Sequence, residues 1–358
     1  MTNVIATSSD EQKRINALLA KNTPQYRQAY SDRTAWLMAC LSELAYIRFN
    51  PPFLDGKRNK KFIETISKLV DEGFVNHNKV LFLTELINTL GYDPDEEREK
   101  LVQELGTIEI TLVETFDRDG TQAILVSNDK IIALAFRGTE STSLQDIKAD
   151  MKAKMTRCET GGKIHLGFKE AFEKVKGAIQ EKINQDQFKK KPLFITGHSL
   201  GGALATIAAQ ELTHKGGIAA CYTFGSPRVA DEEWMQNIKT PLYRVVNAAD
   251  CVTTLPPGAD LMVILCWAVK YIPYIGEWLR SWLSQFGGYV HSGDMRYLTN
   301  CQRGKYEDVK RLYHVSLFRR IRGYMNRASP VGKVLADHSI NIYRKKLMII
   351  AGHRNQTK

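Results

Sequence analysis

The hydrophobic positions of the first hundred residues recur at helical spacing. In the stretch TAWLMACLSELAYIR, residues 34–48, the side chains of Leu37, Leu41 and Leu44 fall on one side of a helix. Further helical patterns follow at about residues 60–72, 79–90 and 95–105. The pattern therefore predicts a helical N-terminal region, residues 1–106, that packs on the rest of the chain.

The pattern changes at Thr107. The runs TIEITLVET, TQAILVS and KIIALAFRG are short and β-rich, and the sequences DRDG and NDK between them indicate hairpin turns. The apolar runs LFITG, ACYTFG and LYRVVN then alternate with helical patterns. This alternation predicts an α/β core at residues 107–358, with a mostly parallel central sheet and helices on both faces.

Residues 261–333 differ from the rest of this core and are predicted to form an inserted helical segment. The apolar run LMVILCWAV is too short to cross a bilayer. Beyond Pro273 the apolar positions form one stripe of an amphipathic helix, and Trp267, Trp278 and Trp282 lie in this segment. Such tryptophans suit a lipid interface or an acyl-chain groove, and packing on the core is the alternative.

The charge of the chain favours an anionic partner. The formal net charge is +11 over 358 residues, with much of the excess at residues 303–333, and this suits contact with an anionic membrane surface. Nucleic acid is not expected as a partner, because no recognition motif accompanies the charge.

The cysteines and the N-terminus lead to a prediction of the compartment. The six cysteines are scattered without paired spacing, which predicts no zinc site and reduced thiols. The first residues lack a basic start followed by an apolar run, so we expect no signal peptide. We therefore predict a cytoplasmic location with peripheral contact to a membrane, and export by a route that needs no signal peptide is the alternative.

The stretch KPLFITGHSLGGALATIAAQEL contains the pattern Gly197-x-Ser199-x-Gly201. An apolar strand precedes this turn and a helix rich in small residues follows it, and in that context the serine hydroxyl stands exposed on a sharp bend. Glycines are needed because side chains there would collide with the neighbouring strand and helix. Ser199 is the candidate nucleophile, and an unreactive tight turn is the alternative.

A serine nucleophile needs a histidine that accepts its proton and a carboxylate that orients the histidine. Asp250 follows the strand LYRVVN at the edge where such sites assemble, whereas Asp231 lies beside a helix start and suits an N-cap. The candidate histidines are His338 and His291, and their separation from Ser199 along the chain does not distinguish them. We favour His338 because it lies in a loop just before a helical pattern, where its ring can lie over the serine.

Acyl transfer also needs hydrogen-bond donors for the oxyanion. One candidate is the backbone N–H of Leu200, at the helix start. The second is Thr139, which follows the strand IIALAF and offers both an N–H and a hydroxyl. Arg137, beside it, is assigned no catalytic part.

Together these motifs resemble the class 3 lipases, the fungal-lipase-like branch of the α/β-hydrolases. The matching stretches, in the family's order, are LSELAY, AFRGTES, SLQDIKADM, IHLGF, ITGHSLGGALA, FGSPRVAD, YRVVNAADCVTTLPP, YVHSG and DHSINIY. The resemblance implies the α/β-hydrolase fold and the hydrolysis of lipid esters. It also implies Ser199 as nucleophile, Asp250 as acid and His338 as base, with Thr139 and Leu200 at the oxyanion positions.

The resemblance further implies that His291 is structural and that SLQDIKADM lies where the family places a lid helix. The apolar residues of this stretch are Leu144, Ile147 and Met151. A lid this polar predicts weak activation at lipid interfaces. The chain also departs from the family at Cys251, where a proline usually follows the acid.

The sequence therefore predicts a serine hydrolase that cleaves carboxylic esters of lipids through an acyl-enzyme. Acylglycerols are the first expected substrates and phospholipids the second. The chemistry requires no metal and no organic cofactor. The alternatives are a lipid acyltransferase and a non-catalytic lipid-binding protein that retained the fold, and the complete set of Ser, Asp and His favours the enzyme.

Overall fold

The structure is a computed structural model that describes residues 3–21, 29–49, 93–139, 155–256, 288–302, 304–316 and 336–356. The helices that the sequence predicts at about residues 60–72 and 79–90 lie outside these ranges. So does most of the predicted insertion, residues 261–333.

The described strands occur in two sheets. The strands are β1 (Thr111–Arg118), β2 (Thr121–Ser127), β3 (Ile132–Phe136), β4 (Met155–Arg157), β5 (Lys163–His165), β6 (Leu193–His198), β7 (Ile218–Phe224), β8 (Leu242–Asn247), β9 (Asp294–Leu298) and β10 (Arg311–Leu312). Eight of them form one sheet in the order β1-β2-β3-β6-β7-β8-β9-β10, and β4 pairs with β5 separately.

The central part of the large sheet is parallel. Neighbouring strands run parallel from β3 through β6, β7 and β8 to β9, whereas β1, β2 and β10 are antiparallel to their neighbours. Both β3 and β6 are buried along their whole length, as expected of apolar strands covered by helices on both faces. The predicted mostly parallel sheet is confirmed.

Several of the described helices are preceded by a residue whose side chain satisfies a free N–H group of the first turn. The described helices are α1 (Ser9–Leu19), α2 (Asp32–Leu44), α3 (Pro94–Gly106), α4 (Leu166–Ile183), α5 (Leu200–Glu211), α6 (Glu232–Gln236) and α7 (Ile340–Gln356). The first three helices are capped by the side chains of Ser8, Ser31 and Asp93, in that order. Pro94 stands in the first turn of α3, where a backbone N–H would have no acceptor within the helix, so its absence costs no hydrogen bond.

The two faces of the sheet bury separate hydrophobic clusters. Because side chains alternate along a strand, Ile124 and Val126 of β2 face one cluster while Ala123 and Leu125 face the other. The first cluster includes residues of α1, α2, α3 and α7, and the second includes residues of α4, α5 and α6. The predicted helices on both faces are therefore confirmed. None of the described helices combines the length and apolar character needed to span a bilayer.

Candidate active site

Ser199 occupies the turn between β6 and α5. Its φ of 56° and ψ of −127° place it among the few non-glycine residues with positive φ. Two backbone hydrogen bonds hold this conformation, because Ser199 N donates to Phe224 O at 2.9 Å and Gly202 N donates to Ser199 O at 2.9 Å. The surrounding structure thus maintains a strained backbone at the residue that the sequence predicts to be the nucleophile.

The start of α5 packs directly on the end of β3. A Cβ atom at Gly201 would lie 2.9 Å from the carbonyl carbon of Arg137, so a glycine is required there. Thr139, two residues further along, is half-buried. Leu200, as the first residue of α5, contributes an N–H that has no acceptor within the helix. The two predicted oxyanion donors therefore belong to segments that leave neighbouring parallel strands at the same edge.

Asp250 and His338 form a buried pair at this edge. Nδ1 of His338 donates to the Asp250 carboxylate, at 3.0 Å from Oδ2 and 3.1 Å from Oδ1. The exposed fraction of the side chain is 9% for His338 and 0% for Asp250. In the neutral ring Nε2 then carries the lone pair, and this atom is buried with no hydrogen bond to any described residue, Ser199 included. The ring is thus oriented to accept a proton at Nε2.

The Asp250 carboxylate accepts two further hydrogen bonds. The Val252 amide donates to Oδ1 at 3.0 Å, and the Tyr343 hydroxyl donates to Oδ2 at 2.5 Å. The same hydroxyl accepts a hydrogen bond from the backbone N–H of Asn247 at 3.0 Å. These donors fix the orientation of the carboxylate that accepts the hydrogen bond from His338.

A second histidine ring, that of His198, packs on His338 with 4.5 Å between the ring centroids. Nε2 of His198 donates to the backbone carbonyl of His338 at 2.5 Å, and Nδ1 accepts from the Tyr46 hydroxyl at 2.8 Å. Burial, followed by the nearby His338 ring, lowers the pKa of His198 well below its ordinary value. His198 is therefore a neutral ring that supports the backbone of His338.

Gly225 lies against the Asp250–His338 pair, just beyond β7. Its φ is +58°, and a Cβ atom there would be 2.7 Å from Oδ2 of Asp250 and 2.9 Å from Nδ1 of His338. Only a residue without a side chain fits between these groups without displacing one of them.

Three other residues weighed from the sequence have ordinary structural contacts. Asp231 caps α6 by accepting from Trp234 N at 3.0 Å, which confirms the predicted N-cap. Nε2 of His291 lies 2.7 Å from Thr253 O and so donates to that carbonyl. Arg137 donates to the Gln122 side chain. None of these contacts reaches the Asp250–His338 pair.

The remaining predicted site residues lie outside the described residues. They are the lid residues Leu144, Ile147 and Met151 and the tryptophans Trp267, Trp278 and Trp282. Their roles stay predictions.

Sequence reasoning missed four residues that surround the pair, namely Tyr46, His198, Gly225 and Tyr343. Each of them lies within a stretch already noted as characteristic, since LSELAY, GHSLGG, FGSPRV and DHSINIY contain them in turn. The presence of these residues in the matching stretches was therefore an available signal, whereas the sequence did not indicate which residue each of them contacts.

Comparisons with known proteins show what the chain is similar to. Residues 133–259 match the family model Lipase (class 3). The chain is 34% identical over 154 residues to a lipase of Rhizomucor miehei, covering 39% of this chain and 42% of that protein. It is 39% identical over 100 residues to the secreted mono- and diacylglycerol lipase 1 of Fusarium solani, covering 26% and 30%.

The chain spans less than half the length of these two curated relatives. Among solved structures, a Rhizomucor miehei lipase propeptide complex has a TM-score of 0.41 at 25% identity, covering 54% of this chain and 58% of that one.

The predicted resemblance to the class 3 lipases is confirmed over residues 133–259, which match that family model. That region contains Ser199 and Asp250, whereas His338 lies beyond it. With its mostly parallel sheet and its strand–turn–helix at Ser199, the chain has the α/β-hydrolase fold.

The predicted cytoplasmic location is wrong. Relatives from Fusarium solani, Malassezia globosa and Malassezia restricta are named secreted lipases, which points to an extracellular location instead. The prediction relied on the composition of the first residues and on cysteines without paired spacing. The cysteine spacing does not indicate the compartment of a chain of this size, because a domain with a large hydrophobic core does not depend on disulfides.

Proposed function

We propose that this chain is a serine hydrolase that cleaves carboxylic esters of lipids through an acyl-enzyme. The observation that carries the proposal is the buried hydrogen-bonded pair of Asp250 and His338. The ring of His338 packs on His198, the residue before a serine held at positive φ between a strand and a helix. An orienting carboxylate, a base with a free nitrogen and a strained serine are the three parts that activate a hydroxyl for attack.

In the proposed reaction, the Ser199 hydroxyl attacks the ester carbonyl while Nε2 of His338 takes its proton. Asp250 stabilises the resulting imidazolium, which then protonates the leaving alcohol. A water molecule attacks the acyl-enzyme with the same histidine as base, releasing the fatty acid and Ser199. Thr139 and the N–H of Leu200 are the proposed donors to the oxyanion.

Acylglycerols are the substrate class that we propose to test first. Relatives from Fusarium solani, Malassezia globosa and Malassezia restricta are named mono- and diacylglycerol lipases, whereas the Rhizomucor miehei relative is named only a lipase. A panel of mono-, di- and triacylglycerols and phospholipids would rank the classes by kcat/KM. Faster turnover of phospholipids than of any acylglycerol would contradict this proposal.

The first test of the reaction is the Ser199→Ala variant. We expect it to lose at least 1,000-fold in kcat/KM on short p-nitrophenyl esters and to lose labelling by a fluorophosphonate probe, because only the hydroxyl can be acylated or phosphonylated. Ser127→Ala is the matched control: Ser127 is also a buried serine, but its hydroxyl donates to Ile131 O at the end of β2. Equal activity or labelling of both variants would overturn the assignment.

We also propose contact with an anionic lipid surface. The net charge of +11 supports this proposal. Co-sedimentation with vesicles tests it, because electrostatic binding requires anionic lipid and weakens as salt is added. Equal binding to neutral and anionic vesicles, unchanged by salt, would contradict it.

A further inference from the structure

One tyrosine, Tyr46, lies among the residues of the proposed chemistry without being one of them. It follows the end of α2, and its side chain is half-buried. Its hydroxyl lies 2.8 Å from Nδ1 of His198, the residue before Ser199, and the centres of the two rings are 5.8 Å apart. The tyrosine therefore reaches from α2 to the turn that holds the proposed nucleophile.

The direction of this hydrogen bond follows from the other contact of the His198 ring. Nε2 lies 2.5 Å from the backbone carbonyl oxygen of His338, and a carbonyl oxygen can only accept, so Nε2 carries the ring proton. Burial lowers the pKa of His198 well below its ordinary value, so the ring is neutral and Nδ1 is an acceptor. The Tyr46 hydroxyl therefore donates to Nδ1, and this bond favours the tautomer in which the N–H faces the backbone of His338.

The same hydroxyl lies against the backbone of Gly138, the residue before Thr139. A Cβ atom at Gly138 would overlap the Tyr46 hydroxyl and would lie 2.6 Å from the carbonyl oxygen of His198. Gly138 follows β3 and His198 ends β6, and these two strands are parallel neighbours. Tyr46 thus contacts the residues that immediately precede the proposed oxyanion donor and the proposed nucleophile.

We propose that Tyr46 is a positioning residue for acyl transfer that acts through His198 and Gly138. Its hydroxyl holds the His198 ring in the tautomer that binds the backbone carbonyl of His338, and it packs where the oxyanion segment meets the turn of Ser199. Because acyl transfer depends on the relative placement of the base, the nucleophile and the oxyanion donors, loss of this hydroxyl should slow the chemical step rather than weaken ester binding. The inference deepens the proposed function and rests on it.

The competing explanation is that the Tyr46 hydroxyl only ties the end of α2 to the sheet. Tyr222 on β7 offers a comparison at the start of the same helix. Its side chain is buried, and its hydroxyl accepts a hydrogen bond at 3.4 Å from the backbone N–H of Ser31, the N-cap of α2. Each tyrosine thus connects one end of α2 to the sheet, whereas Tyr46 also contacts Gly138 beside the proposed oxyanion donor.

The first test is the pre-steady-state release of p-nitrophenol by Tyr46→Phe, a substitution that removes the hydroxyl and keeps the ring. The dependence of this burst on ester concentration separates the rate constant of acylation from the dissociation constant of the ester. We expect the acylation rate constant to fall by about 5- to 10-fold, as for the loss of one neutral hydrogen bond, with the dissociation constant unchanged. Tyr222→Phe is the matched control, and both of its constants should equal those of the unmodified chain.

Three outcomes of this experiment would overturn the inference, once urea unfolding has shown that both variants are folded. The first is an acylation rate constant in Tyr46→Phe equal to that of the unmodified chain. The second is an equal loss in Tyr46→Phe and Tyr222→Phe, which would mean that both hydroxyls act by holding α2. The third is a weaker binding of the ester with an unchanged acylation rate constant, which would place Tyr46 in substrate binding.

A second readout separates this inference from the proposed function. If the unmodified chain hydrolyses no ester and is not labelled by a fluorophosphonate, the proposed function fails. The nitrogen resonances of the His198 ring still test the tyrosine, because they report its tautomer and hydrogen bonds without any reaction. In Tyr46→Phe we expect the Nδ1 resonance to move to lower field as it loses its donor, and the carbonyl carbon resonance of His338 to move with it. Resonances that stay in place, or that move equally in Tyr222→Phe, would overturn the inference.

Discussion

At the scale of single residues, the site depends on how closely the backbone approaches the Asp250–His338 pair. Gly225 is the clearest case, because it has positive φ and leaves no room for a Cβ atom beside either member of the pair. We expect Gly225→Ala to lower kcat/KM for esters by at least 100-fold, since the methyl group must displace Asp250 or His338. Steady-state kinetics on the p-nitrophenyl esters whose hydrolysis depends on Ser199 would measure this loss.

The control for that substitution is Gly177→Ala. Gly177 lies within α4, where a Cβ atom would meet no atom within 4 Å. Alanine there should leave kcat/KM unchanged and raise the free energy of unfolding by about 0.5–1 kcal/mol, because alanine is the better helix former. Retained activity in Gly225→Ala would show that the pair tolerates displacement.

At the scale of elements, the sequence predicted the regular parts of the fold but missed β9 and β10, which lie within the segment 261–333 that was predicted to be helical. Strands such as β3 and β6 are continuous apolar runs buried on both faces, so their pattern is strong. Strand β9 has the sequence DMRYL and is mostly half-buried, and β10 has two residues, so neither has a distinct apolar pattern.

The sequence also did not predict the contacts in the site between residues that are distant along the chain. Tyr343 meets Asp250 across 93 positions, a pairing that only the packing of α7 on the sheet determines.

His198 links three elements, because it contacts Tyr46 beyond α2 and the carbonyl of His338 before α7 from the end of β6. Its pKa is lowered in the folded state from the ordinary value of 6.5, so the unfolded state binds the proton more readily. Folding stability is therefore lost as pH falls below 6.5 towards the lowered pKa. The slope from this one group is at most about 1.4 kcal/mol per pH unit.

His198→Asn should remove this slope. We expect the free energy of unfolding of the unmodified chain to fall more steeply between pH 7 and pH 5 than that of the variant, whatever their difference at pH 7. Urea unfolding at several pH values measures both slopes, and the carboxylates that the two proteins share cancel in the comparison. Parallel pH dependences would show that His198 is not held neutral by the fold.

At the scale of the whole molecule, the described N-terminal helices and α7, the helix that follows His338, pack on the same face of the sheet. Arg344 of α7 forms an ion pair with Glu43 of α2 and donates to the carbonyl groups of Ile5 at 2.8 Å and Val4 at 3.0 Å. The amides of the same two residues donate to the Glu104 carboxylate of α3. One guanidinium thus joins three segments that are distant in sequence. The division of the chain at about residue 106 stays a prediction.

Arg344→Met should therefore destabilise the molecule far more than an ordinary loss of charge. We expect the free energy of unfolding to fall by about 3 kcal/mol, because the Glu43 carboxylate loses its cation and two buried carbonyl groups lose their donor. Lys345→Met, at the next position, should cost less than about 1 kcal/mol, since its ion pair with Glu11 is partly exposed. Urea unfolding measures both. Equal small losses would mean that α7, and with it His338, is held by apolar packing alone.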